Sequence, residues 1–263
     1  MVALYDKRSN DRGVSESIGF LLIFTIVIAG IGLVTLYGYP MLLQQQVSAD
    51  EKIMEKNTIV LQNDIKSLAY KTVPYKETSL KIGGGSLTVY NSSYSPSSST
   101  LTISEAGVPP YVDLFQPGEL RYESVSAQTD ISLQNGAVVL RKHFEPGSVM
   151  LAEPRWFYDN TNPTKRVMVI NLINITSTHL MAKEGIGTVR MKLGETNYTY
   201  FTTINPNNVI LTYATPDSSQ NYSVAWGNYF TNTLKMTPSG TNYKLPPVDS
   251  LVIKRIEVRI ESI

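Results

Sequence analysis

From Ser17 to Tyr39 the chain runs 23 positions without a charge and is strongly apolar. At about 1.5 Å of rise per helical residue such a run spans roughly 34 Å, enough for a ~30 Å hydrocarbon core with modest tilt. No later stretch approaches the ~18 unbroken apolar residues of a second crossing, so the chain is bitopic at most. Lys7, Arg8 and Arg12 precede the run, and no charge follows it until Asp50. The positive-inside bias therefore assigns residues 1–16 to the cytoplasm and 41–263 to the exterior. A cleaved secretory peptide is disfavoured, because its apolar region is usually about 7–15 residues long. Gly30, Gly32 and Gly38 interrupt the run. Glycine in a membrane helix lets a neighbouring helix approach closely, and backbone flexibility is the other reading.

Composition suits an outward-facing domain. Cysteine is absent, which excludes a disulfide framework, a thiolate metal site and a cysteine nucleophile. A formal net charge of +1 leaves no electrostatic footprint for nucleic acid. Only 17% of residues are charged, while Ser, Thr, Asn and Tyr are abundant, as on neutral polar strands.

Beyond the apolar run the pattern becomes that of an amphipathic helix. Val47, Met54, Leu61 and Leu68 recur every seventh position, with acidic and basic residues interspersed. The stripe predicts a partner. Packing against the chain's own β domain is the first reading, and a coiled coil with other subunits the second. Pro40 removes one helical hydrogen bond and predicts a bend without a break. Residues 15–71 then make one helix of about 85 Å, half in lipid and half in water. Pro74 ends it, since the residue before a proline avoids the α region.

Everything after Pro74 reads as strand and turn. Short β-rich runs at 78–82 and 86–90 flank Gly83, Gly84 and Gly85, a hairpin signal, and a further run covers 100–103 after a polar loop at 92–100. Strands are also predicted at 119–124, 130–133, 137–143, 149–152, 166–173, 187–193, 197–203, 209–213 and 221–224. The last strand is the plainest: Ile256, Val258 and Ile260 alternate with charged residues, as one buried and one wet face require. The segment 226–230 reads as a short helix or a loop. The fold class predicted is α+β: a long N-terminal helix, then an antiparallel all-β sandwich or barrel-like domain.

Chemistry is sparse. His143 and His179 are the only histidines, and neither has a recognisable triad or metal partner in sequence. Asp159 to Asn162 are rich in oxygen, but Thr161 breaks the spacing of a calcium loop. The glycine triplet lacks the Lys-Ser/Thr of a phosphate cradle. Residues 153–158 hold three consecutive aromatic rings, either a ligand surface or a packed corner. No catalytic residue, metal site or cofactor is expected, and the chain does not read as an enzyme. Sequons begin at Asn91, Asn174, Asn197 and Asn221, all on the predicted exterior, with Asn91 placed first because it borders a polar loop.

The leader carries one further signal. Lys7-Arg8 and Arg12-Gly13, followed by Val14 to Gly19 and the apolar run, resemble the class III signal peptide of archaeal type IV pilins and archaellins. Gln44-Gln45-Gln46 is similar to the glutamine-containing stretch of archaellins. The resemblance covers residues 7–46. It implies cleavage of the Gly13–Val14 bond by a prepilin-type peptidase on the cytoplasmic side, with the helix retained. It also implies assembly of subunits through that helix into a filament that displays β domains outside. The expected organisation is a leader at 1–13, a membrane helix and stalk at 14–72, and an exterior β domain at 73–263. The expected partners are membrane lipid, the peptidase and other pilin-like subunits, with no nucleic acid. The alternative is a single-pass anchored adhesin or ligand-binding protein that does not polymerise.

Overall fold

A computed structural model describes the chain except residues 1–7, 72, 93–98, 163, 203–208 and 216–220, with side chains described from Glu16 onward. The basic leader residue Lys7 and the centre of the polar loop at 92–100 thus lie outside the described residues. Helical structure is continuous through α1 (Arg8–Leu33), a π-helical turn (Val34–Gly38) and α2 (Tyr39–Tyr70). Pro40 explains the turn. Its ring has no N–H and crowds the carbonyl four residues back, and a wider turn relieves both faults. The Tyr39 N–H bonds the Val34 carbonyl five residues back, and the helix passes through the proline.

Two units divide the chain, residues 1–48 and 49–263. In the second unit, residues 49–70 of α2 lie on a mostly antiparallel sheet, which makes the class α+β. Its first strands are β1 (Tyr75–Tyr90), β2 (Thr100–Glu105), β3 (Val112–Phe115), β4 (Glu119–Ser124), β5 (Thr129–Gln134), β6 (Ala137–Lys142) and β7 (Val149–Ala152). Then come β8 (Phe157–Asp159), β9 (Val167–Ser177), β10 (Met181–Phe201), β11 (Val209–Ala214), the helix α3 (Ser223–Asn228), β12 (Thr237–Ser239), β13 (Asn242–Lys244) and β14 (Ser250–Ser262). Among the described residues, nine strands form one sheet in the order β7-β6-β5-β4-β1-β10-β14-β9-β8, and five form a second in the order β12-β13-β11-β2-β3.

The period of two along a strand gives the large sheet two buried faces. On β14, Leu251 and Ile253 join the core shared with the small sheet and α3, while Ile256, Val258 and Ile260 join the core under α2. On β9, Met168, Ile170 and Leu172 take the first face and Ile173 and Ile175 the second. The alternation expected at 256–260 is therefore present, with one helix supplying its cover. The domain is a two-sheet sandwich with a helix on its outer face.

Several local expectations are corrected. Gly83–Gly85 does not close a hairpin: it is a bulge inside β1, which pairs with β10 on both sides of it. The bulge moves the inward positions from Leu80 and Ile82 to Leu87 and Val89, so both halves face α2. Glycine is needed there because Asp50 of α2 and the Glu123 backbone approach so closely that a Cβ on Gly83 or Gly85 would collide with them. The strands expected at 187–193 and 197–203 are one strand, β10, kinked by an irregular register between Leu193 and Thr196. The strand expected at 221–224 is instead the start of α3, where the Asn221 Oδ1 accepts the Ser223 N–H at 2.9 Å. The ambiguous 226–230 segment is helical and passes into a π turn (Tyr229–Thr233). One pairing breaks the antiparallel rule, since β9 and β14 run parallel.

Candidate functional site

Among the described residues, the first unit presents a run of exposed apolar side chains. Ile18, Phe20, Leu21, Leu22 and Ile23 are exposed, as are Val34, Leu36 and Tyr37 beyond them, and Phe20 and Phe24 stack at 6.2 Å. The helix Glu16–Tyr70 contains a segment long and apolar enough to cross a membrane, and none of that segment is buried. Its two threonine hydroxyls are satisfied internally: Thr25 donates to the Leu21 carbonyl at 2.7 Å and Thr35 to the Ile31 carbonyl at 2.9 Å. That arrangement suits a medium without water. A Cβ at Gly30 or Gly32 would meet no atom within 4 Å, and at Gly38 only the Val34 Cγ1 at 3.6 Å. These glycines thus answer no steric demand within the chain. Gly13 and Val14 lie within α1, and Ser17 and Tyr39 bound its exposed apolar surface and the turn that follows.

The stalk stripe behaves differently. Met54, Leu61 and Leu68, with Ile65, are fully buried under the large sheet, whereas Val47 is only half-buried and belongs to the first unit. Buried Gln62 fixes the helix by donating to the Gly136 carbonyl at 2.7 Å and the Glu153 carbonyl at 3.0 Å. Asp50 pairs with Lys81 at 3.7 Å beside the glycine bulge, and Thr129 donates to Glu51 at 2.9 Å. The stripe's partner is the chain's own sheet along 54–68.

Two charged clusters lie on the β domain. Arg121 is fully buried between Glu119 and Glu123, with its guanidinium 4.3 Å from the centre of the Tyr90 ring. Burial opposes its charge, but the two carboxylates, Glu119 foremost, outweigh that and raise its pKa further above the ordinary arginine value. His143 meets Asp130 at 2.8 Å, with Arg141 3.9 Å from the same carboxylate. Strand pairing makes this contact, which sequence spacing hides. These three side chains, with Glu123, line a cleft of about 480 Å³. Among the described residues, no three His, Cys, Asp or Glu side chains are grouped to hold a metal. A second cleft, of about 440 Å³, opens beside α3.

The remaining candidates resolve individually. The Asp159 carboxylate accepts the Thr161 N–H at 3.0 Å, and the hydroxyl and amide of Thr161 hold its pKa below the usual range. Asn162 caps Thr164 at 3.0 Å in the same way, so this stretch is a pair of turns. Trp156 is buried against Trp226, Tyr229 and Phe230, which makes 153–158 a packed corner at its centre. His179 lies in an exposed turn beside Thr178.

By exposure the four sequons rank differently from their sequence surroundings. Asn91 is buried and its amide donates to the Ser177 carbonyl, so the acceptor nitrogen is occupied. Asn174 is half-buried within β9, and Asn221 caps α3. Asn197 alone of the four is exposed, on β10.

Residues 12–258 match a family described as a family of unknown function (DUF7289). No curated protein and no solved structure matches the chain.

Proposed function

The chain belongs to the DUF7289 family, a family of unknown function, and from its N-terminal helix we propose that it is a pilin-like surface structural protein. It is made as a membrane-anchored precursor, cleaved between Gly13 and Val14 by a prepilin-type peptidase, and assembled through α1 into an extracellular filament that displays the β domain. The observation that carries this reading is the uncovered apolar surface of residues 17–43, coupled with glycines at 30 and 32 that no contact within the chain requires. Lipid covers such a surface in the precursor, and neighbouring helices cover it in a filament. The stripe at 54–68 is taken up by the chain's own sheet, which leaves the more N-terminal segment as the assembly element. The proposed role is structural, without catalysis.

The second reading is a monomeric, single-pass anchored adhesin or ligand-binding protein, favoured by the clefts on the β domain. Mass spectrometry of filaments sheared from the native cells separates the two. The pilin reading expects this chain in the sheared fraction; its confinement to the membrane fraction supports the anchored monomer.

A further inference from the structure

The cleft beside α3 is lined by Tyr213, Ser223, Asn228, Thr231, Thr241 and Tyr243, and none of its described lining side chains is charged. Its aromatic wall is fixed by packing. Tyr213 lies 5.5 Å from Trp226 and Tyr243 lies 5.0 Å from Phe230, both partners being fully buried. Gly227 lets the Tyr243 hydroxyl close over α3, where any Cβ would collide with it. Asn228 and Thr241 are exposed at the cleft, and Thr231 donates to the Gly227 carbonyl, which leaves its oxygen lone pairs able to accept. The volume falls within the ~300–1,000 Å³ of small-molecule sites, and rigid rings with a few polar groups are the usual composition of such sites.

The chemistry of the lining selects a ligand class. Tyrosine rings suit the C–H face of a pyranose, and amide and hydroxyl side chains suit its hydroxyls. A phosphate, sulfate, carboxylate or amine would find no opposite charge among the described lining residues to offset its desolvation. A wholly apolar ligand would leave Asn228 and the hydroxyls without partners. We propose that this cleft binds neutral carbohydrate, through the half-buried ring of Tyr243 as the platform, with buried Tyr213 backing the wall, and Asn228, Thr231 and Thr241 as hydrogen-bonding groups. The site does not depend on polymerisation, so it stands or falls separately from the filament reading.

The test uses the full chain in lipid nanodiscs, free of sugar-based detergent, titrated by isothermal calorimetry. The probes are neutral gluco-, galacto- and manno-oligosaccharides and their sulfated and uronic-acid counterparts. At least one neutral series should bind, with its charged counterparts no tighter. Asn228→Ala and Thr241→Ala alter exposed positions, so each should keep the unfolding midpoint while weakening binding about three- to tenfold, as loss of a hydrogen bond predicts. The proposal is overturned if no neutral probe binds, if a charged counterpart binds more tightly, or if both variants bind as the parent does.

Discussion

Arg121 shows how much of this fold depends on single side chains that alternation alone does not single out. It occupies a position of β4 facing away from α2, beside Glu119 and Glu123, with its guanidinium over the ring of Tyr90 on β1. Replacing Arg121 with Met should destabilise the domain by about 3–5 kcal/mol, because the Glu119 carboxylate is left buried without its partner. Denaturant unfolding measures this, and a loss within about 0.5 kcal/mol would show that the cluster does not depend on its arginine. The phenols give a second residue-scale outcome. Burial pushes Tyr70 up to about 12, against the opposing effect of Arg155, and burial likewise raises Tyr213, Tyr222 and Tyr229. The neutral phenol is favoured in the folded state. The stabilisation is therefore complete below the ordinary phenol value near ~10 and is lost as pH climbs through about 12. A spectrophotometric titration should show exposed tyrosines ionising first and a delayed group ionising together with unfolding. At the sequons, glycopeptide mapping of native protein should find Asn197 modified ahead of Asn91. Sequence ranked them the other way because a bordering polar loop says nothing of where the amide nitrogen points.

At the level of elements, the helix end before Pro74, the stripe and the last strand were legible, because period and proline act locally. The partner of the stripe was legible as the first of two readings, the chain's own β domain, although a heptad-like repeat looks alike facing a helix or a sheet. Truncating Leu61 or Leu68 to Ala should cost about 2–5 kcal/mol of domain stability. Gly30→Leu and Gly32→Leu, by contrast, should leave domain unfolding unchanged while abolishing filaments, since their Cβ positions meet nothing in the chain. Unchanged filament yield in both would remove α1 glycines from the assembly surface. The glycine triplet was misread for a physical reason: the same residues serve a hairpin turn and a bulge. Only the close approach of Asp50 and Glu123 distinguishes them. A Gly85→Ala variant should accordingly be destabilised, as thermal unfolding would show. The helix at α3 was missed at its start because a β-prone Asn-Tyr-Ser-Val stretch is recruited by an Asn221 cap and by the burial of Trp226.

For the molecule as a whole, the class α+β followed from one uncharged apolar run, a stripe and many short alternating strands. What the sequence could not convey is that the large sheet is buried on both faces, by α2 on one and by the small sheet with α3 on the other. That arrangement consumes the amphipathic stripe at 54–68 within one chain. It leaves the apolar surface at 17–43 exposed, the surface on which the proposed assembly rests. The proposed role turns on this helix being retained after a cut at Gly13 and carried into a filament. N-terminal sequencing of the native protein decides whether that cut is made. A mature chain beginning at Val14 is expected, and a chain beginning at Met1, or anywhere beyond Tyr39, would refute the proposed processing.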